Sequence, residues 1–220
     1  MRIGFVGAGS IANAHLKNLA SFPDVEIAAV TDVDPARAAQ VAETYGATVY
    51  PDHEAMMREA RLDAVYLCIP PFAHGAPERS ALEHGIPFYV EKPLALDPEL
   101  PESIADAVER SGLITAVGFQ LRYIDTVETL RRRLEGRALA MVNGHYFCPL
   151  VQTPWWRQRD RSGGQLVEQV IHIVDLIRYI TGDEVARLYC QEALRVHGQV
   201  PAMDIADVTV TSYTMKSGAI

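Results

Sequence analysis

Short apolar runs and helical spacings alternate along the first half of the chain. The runs are "RIGFV" (2–6), "VEIAAVT" (25–31), "ATVY" (47–50), "DAVYLCI" (63–69), "PFYVE" (87–91) and "LITAVGF" (113–119). Runs this apolar predict strands buried on both faces, as in a parallel sheet. Helical spacing fills the gaps, from about residue 10 and through 34–46, 53–60, 76–85 and 99–112. Gly46 and Gly85 stand where two of these helices should stop. Strands joined by crossover helices predict a doubly wound α/β sheet over 1–119.

The pattern changes after residue 119. A polar helix is predicted over 124–135, a long strand over 138–147 ("ALAMVNGHYF") and a loop over 149–164. A helix follows in 163–182, then strands in 185–196 and 207–215 with partial alternation, as in a sheet with one exposed face. Residues 120–220 therefore read as a second, α+β domain. "KSG" (216–218) is a turn signal that predicts a further strand, so this second domain is expected to be incomplete.

The helix "GGQLVEQVIHIVDLIRYITG" is apolar over most of its circumference, with one polar stripe. Glu168, His172 and Asp175 fall within roughly 60° of one another on a 3.6-residue turn. A stripe like this faces water or a wet cleft, and the helix alone does not decide which. Ser162 and Gln165 form a capping pattern, S-x-x-Q, and Gly163 and Gly164 leave the backbone open to a ligand. A metal site on this stripe is disfavoured, because the spacing is not H-E-x-x-H.

"VGAGSIA" (6–12) is G-x-G-x-x-A between a strand and a helix. Gly7 permits the tight turn, Gly9 lets a pyrophosphate approach the backbone, and Ala12 lets helix and strand pack closely. The helix beginning at Ser10 and Ile11 offers free N–H groups to phosphates. Asp32 ends the second strand, where a carboxylate accepts both ribose hydroxyls and repels a 2′-phosphate. NAD is therefore the expected cofactor. Arg37 keeps NADP open, since a guanidinium can hold a 2′-phosphate, although a solvated helix residue is the simpler reading. Pro70 and His74 in "CIPPFAH" lie at the ligand edge of strand four. His74 either touches cofactor or begins the next helix.

Lys92 follows strand five at the same edge, and Pro93 restricts its backbone. "TPWWRQR" supplies Trp156 and Arg157, which either stack on a sugar and anchor a carboxylate or pack their loop.

Composition adds exclusions. Hydrophobic content of 49% and charged content of 22% fit one large or two modest globular domains. A net charge of −8 argues against a nucleic-acid partner. No apolar run approaches the roughly 20 residues of a membrane span, and the N-terminus enters a strand without a signal-peptide pattern. Three scattered cysteines without C-x-x-C suit a reducing cytoplasm.

"GAGSIA", "PPFAH", "EKPLAL" and "SGGQLVEQVIHIVDLIRYITG", in that order and spacing, resemble the glucose–fructose oxidoreductase/inositol dehydrogenase (Gfo/Idh/MocA) family of nicotinamide-dependent enzymes. "GFQLRY" (118–123) does so too. The resemblance covers the whole chain. It implies a Rossmann domain, then a mostly antiparallel sheet domain that mediates homo-oligomers. It also implies hydride transfer between NAD(P) and a hydroxyl carbon of a sugar, sugar acid or cyclitol. Lys92 and His172 would be catalytic with Glu168 as helper, Glu91 would join the cofactor site, and Arg122 and Asp175 the substrate site. Redox-assisted glycoside hydrolysis and non-catalytic NAD sensing are the alternatives that relatives suggest. The chain departs from the family pattern at Glu168 (commonly Asp), Val170 (often Gly) and Pro71 (commonly Asn).

Overall fold

A computed structural model describes residues 1–220. They form two compact units, Met1–Gly118 and Phe119–Ile220.

In the first unit, strands β1 (Arg2–Val6), β2 (Glu26–Thr31), β3 (Thr48–Val49), β4 (Ala64–Leu67), β5 (Phe88–Val90) and β6 (Thr115–Val117) form one sheet. The order is β3-β2-β1-β4-β5-β6, and every pairing is parallel. Helices α1 (Ser10–Leu19), α2 (Pro35–Tyr45), α3 (His53–Glu59), α4 (Ala76–Glu83) and α5 (Glu99–Ser111) alternate with the strands. The strand order reverses direction between β1 and β4, and such a switch point opens a crevice at the strands' carboxyl ends. Period-two alternation explains the two cores. Ile3 and Phe5 of β1 bury with Leu16, Val30 and Val41. Val6 turns the other way, with Met56, Val65, Leu67 and Phe88. Helix ends follow local chemistry: Asp34 caps α2 through the Ala36 N–H at 3.0 Å, and Asp52 caps α3 through the Ala55 N–H at 2.8 Å. Gly46 ends α2 with φ +75°.

The second unit holds α6 (Asp125–Leu134), α7 (Arg159–Ser162), α8 (Ile171–Thr181) and the antiparallel strands β7 (Val185–Ala193) and β8 (Val208–Met215). Four expectations need correction. The loop expected over 149–164 holds a 3₁₀ turn, Pro154–Arg157, and the short helix α7. Residues 138–147 form no strand. Val142 N–H donates to the Ile220 carbonyl and Ile220 N–H to the Ala140 carbonyl, and two bonds make no ladder. Ser162 does not cap the next helix with Gln165. It ends α7, accepts the Gly164 N–H at 3.0 Å and donates to the Gln158 carbonyl at 3.0 Å. Gly163 and Gly164, at φ +73° and +88°, break the path from Ser162 to the helix. Leu166–Val170 is a π-helical turn rather than α-helix, so the 3.6-residue spacing holds only from Ile171 onward.

The β7–β8 connection is tied by Asp207, whose carboxylate accepts the N–H groups of Arg195, Val196 and His197 at 2.8, 2.7 and 2.8 Å. Burial raises this carboxyl, but the three backbone donors outweigh it and hold the pKa at about 2. A depressed folded pKa gives stability that is present above the unfolded value of about 3.9 and lost as pH falls through the folded value. Asp207→Asn should therefore melt below wild type at neutral pH. The gap should close as pH drops from about 4 to about 2. A gap constant across that range in thermal melts refutes the role.

Candidate functional site

In the first unit the Gly-rich turn sits at the switch point. Gly7 has φ +93°, and a Cβ there would lie 2.3 Å from the Cys68 carbonyl oxygen. The turn is thus packed against the end of β4 and admits only glycine. A Cβ on Gly9 would meet nothing within 4 Å, so that side of the loop is open space. Ala12 is fully buried against the sheet. Gly9 is the N-cap of α1 and gives it no side-chain cap, and no acidic residue lies in its first turn. Ser10 and Ile11 are exposed at this start. The N–H groups of α1 are thus left for an anion, as a pyrophosphate requires.

Asp32 acts on the loop itself. It accepts the Ala8 N–H at 2.6 Å and the Asp34 N–H at 2.8 Å, which fixes its carboxylate beside the turn. Arg37 is exposed, with its guanidinium 3.4 Å from the Asp34 carboxylate. These residues fit a dinucleotide: an open glycine face, uncapped helix donors and an acid at the end of β2.

Pro71 is buried and starts a single turn of 3₁₀-helix, Pro71–Ala73, with Pro70 just ahead of it. His74 is the residue before the N-cap of α4. Its side chain is 1% exposed and its Nδ1 lies 2.5 Å from Glu78 Oε1. Glu78 also accepts the Gly75 N–H at 2.6 Å. This geometry supports the helix-start reading of His74. Lys92 follows β5, and its peptide bond to Pro93 is cis. Its N–H donates to Glu91 Oε2 at 3.2 Å.

In the second unit the polar stripe is the buried side of its helix. Glu168, His172 and Asp175 are 7%, 5% and 5% exposed. The apolar residues between them, from Val167 to Ile180, are only partly buried. An ordinary surface helix has the opposite arrangement. The π-helical turn carries Glu168, and α8 carries His172 and Asp175. Phe119 meets the His172 ring edge-on at 6.2 Å, and Tyr146 lies parallel to it at 6.4 Å. Burial raises the Tyr146 phenol, and Cys148 and Glu168 push it further the same way. Nothing in the sequence singles out Tyr146, because its segment reads there as a plain strand.

Asp175 binds Arg122 through two hydrogen bonds, one of them 2.8 Å from Nε to Oδ2. The Arg122 guanidinium also lies 5.0 Å from the Tyr179 ring centre. Its hydrogen bonds to the Asp175 carboxylate raise the Arg122 pKa above its ordinary value despite burial. The two residues read from sequence as separate substrate ligands are thus each other's partner. Arg157 donates to the carbonyls of Val151 and Gln152 at 3.2 and 3.1 Å, and Trp156 is buried. Arg157 thus ties its own loop through these two carbonyls.

Known proteins match along the chain's whole length. Residues 1–119 match the family model for the Gfo/Idh/MocA oxidoreductases with an NAD-binding Rossmann fold, and residues 131–220 match its C-terminal domain. A myo-inositol 2-dehydrogenase of Thermotoga maritima is 25% identical over all of this chain and 66% of its own length. An NAD(+)-dependent scyllo-inositol 2-dehydrogenase of Bacillus subtilis is 29% identical over 84% of this chain and 55% of its own length. The crystal structure of the WlbA dehydrogenase of Chromobacterium violaceum, in complex with NADH and UDP-GlcNAcA, superposes with a TM-score of 0.90 at 27% identity. It covers all of this chain and 65% of that one. The chain therefore spans between 55% and 66% of the length of these relatives. With its Rossmann sheet, its Gly-rich turn and matching models for both units, the chain belongs to the Gfo/Idh/MocA family of oxidoreductases.

Proposed function

We propose that the protein is an NAD-dependent oxidoreductase. It would move a hydride between the nicotinamide and a hydroxyl-bearing carbon of a sugar, sugar acid or cyclitol. The observation that carries this reading is the buried polar stripe of Glu168, His172 and Asp175 in a protein whose other unit offers a dinucleotide cradle. The dinucleotide, when bound, supplies a hydride acceptor at its nicotinamide. Gly7, Gly9, Ser10, Ile11, Ala12 and Asp32 would hold it. Asp32 and Asp34 favour NAD over NADP, and Asp34 engages the Arg37 guanidinium at 3.4 Å.

The chain's own residues would handle the proton. His172 takes it from the substrate hydroxyl, as a neutral imidazole can near neutral pH. The Lys92 ammonium hydrogen-bonds the same oxygen and stabilises the alkoxide as it forms. Glu168 orients the imidazole or relays the proton. Its extra methylene, relative to the family's usual Asp, alters the fit of this acid to its substrate.

Two further readings go with this one. The half-open β7–β8 hairpin, with Leu188, Tyr189 and Val210 exposed, supports a homo-oligomer through this sheet. Three unpaired cysteines suit a cytoplasmic protein. No helix is long and apolar enough to cross a membrane.

NADH fluorescence across a panel of cyclitols, sugars and sugar acids tests the function. NADH should accumulate with at least one member. Binding of NAD without NADH formation on any member overturns the oxidoreductase reading.

A further inference from the structure

A polar cluster behind the Gly-rich turn has no part in the proposed chemistry. At its centre is Glu91, 6% exposed at the end of β5. Its Oε1 lies 2.7 Å from His15 Nε2 and accepts the Tyr89 hydroxyl at 3.0 Å. Its Oε2 accepts the Lys92 N–H at 3.2 Å. A Cβ on Gly118 would fall 2.7 Å from Glu91 Oε2 and 2.8 Å from the Tyr89 oxygen, so the end of β6 closes on the carboxylate. His15 comes from α1, one turn beyond Ile11. Its ring lies 5.0 Å from Tyr89 and 5.4 Å from Tyr66, and those two tyrosines stack at 4.7 Å.

The electrostatics keep the Glu91 carboxyl ionised. Burial pulls the Glu91 carboxyl up. Hydrogen bonds from His15 and Tyr89, then the charges of His15 and Lys92, outweigh it and hold the carboxyl below its ordinary range. Burial and Glu91 raise the Tyr89 phenol. Near neutral pH Glu91 is an anion and Tyr89 a donor. Cys68 and Tyr66 are the other titratable groups against the cluster, and burial raises both.

We infer that His15 and Tyr89 are positioning residues which, through Glu91, tie the helix at the dinucleotide cradle to the backbone of Lys92. Glu91 thus serves as a strut rather than as a cofactor ligand. Both of its oxygens are engaged within the first unit, and the donors come from α1, β5 and the turn that begins at Lys92. A dinucleotide settling on the start of α1 would firm the seat of Lys92. This rests on the dinucleotide reading of α1, and NADH binding by the wild type tests that reading separately.

Amide hydrogen exchange at Lys92, with and without NADH, tests the inference. In the wild type NADH should slow exchange at Lys92. Without NADH, His15→Ala should speed it about tenfold, the loss of one hydrogen bond to a charged group. Exchange at Val65, whose N–H bonds the Pro87 carbonyl in the sheet core, should not change. NADH affinity should stay within about threefold of wild type, while the slowing at Lys92 largely disappears. His15→Gln, whose carboxamide can donate to Glu91, should restore both effects, and Glu91→Gln should resemble His15→Ala. Equal NADH protection of Lys92 in His15→Ala and wild type overturns the inference. So does a parallel rise at Val65, which would mean general loosening. The readout is exchange and binding, so it decides the matter whether or not any polyol is turned over.

Discussion

Replacing Lys92 by Ala should lower kcat by about 10²- to 10⁴-fold while NADH affinity stays within about threefold. The asymmetry follows from where Lys92 sits. The cradle is made by the β1–α1 turn and Asp32, which the substitution leaves alone. The Lys92 backbone N–H still bonds Glu91, so its chain path has no reason to move. What disappears is an ammonium proposed to meet the substrate oxygen as it becomes an alkoxide, and such a donor acts mainly in the transition state. Lys92→Arg should restore little, because a guanidinium offers a flat fork where a compact charge is needed. The partner test is His172→Ala. If both residues act on one hydroxyl, the double variant should lose little more than the worse single one, since groups that act as a unit are not additive. Full turnover by Lys92→Ala, or losses that simply multiply, would remove Lys92 and His172 from a shared role.

The first unit was legible in sequence because each local signal has one meaning there. Apolar runs bounded by turn residues mark the buried strands β1, β2 and β4, although β3 is exposed at both residues and β6 is only partly covered, and Asp34, Pro35 and Gly46 mark both ends of α2 by their own chemistry. The Gly-rich turn was legible for the same reason: at Gly7 only glycine fits against the Cys68 carbonyl. What sequence did not show is long-range pairing. His15 and Glu91 meet across 76 residues, and Arg122 and Asp175 across 53. Each of the latter pair, taken singly, looks like a charge waiting for substrate. A hint for His15 was available, since it neighbours the buried Ala12 and Leu16 on α1 and a polar ring there needs a partner. The π-helical turn was hidden because an inserted residue does not disturb composition. The segment 138–147 has strand composition but too few partners, and a strand exists only where another edge pairs with it.

Arg122→Leu should destabilise the protein by about 2–3 kcal/mol, read as a lower urea midpoint with an unchanged slope. Asp175 is 5% exposed, and its carboxylate is held by the two Arg122 hydrogen bonds. Removing the cation leaves a buried charge unpaired, which costs more than the pair contributes. The figure lies below the roughly 3–5 kcal/mol that breaking a fully buried pair costs, because the Arg122 side chain is itself 36% exposed and water can partly compensate. The guanidinium's contacts with the Phe119 and Tyr179 rings, at 5.6 and 5.0 Å, are lost as well. Arg122→Leu combined with Asp175→Leu should recover most of the stability, because no buried charge is then left alone. The double variant also separates structure from chemistry. If the pair only braces the single 3₁₀ turn Gln120–Tyr123 against α8, turnover should recover with stability. If Asp175 also holds a substrate hydroxyl, stability should return while KM for the polyol stays high. A double variant less stable than Arg122→Leu would show that Asp175 does not depend on Arg122 for its place in the fold.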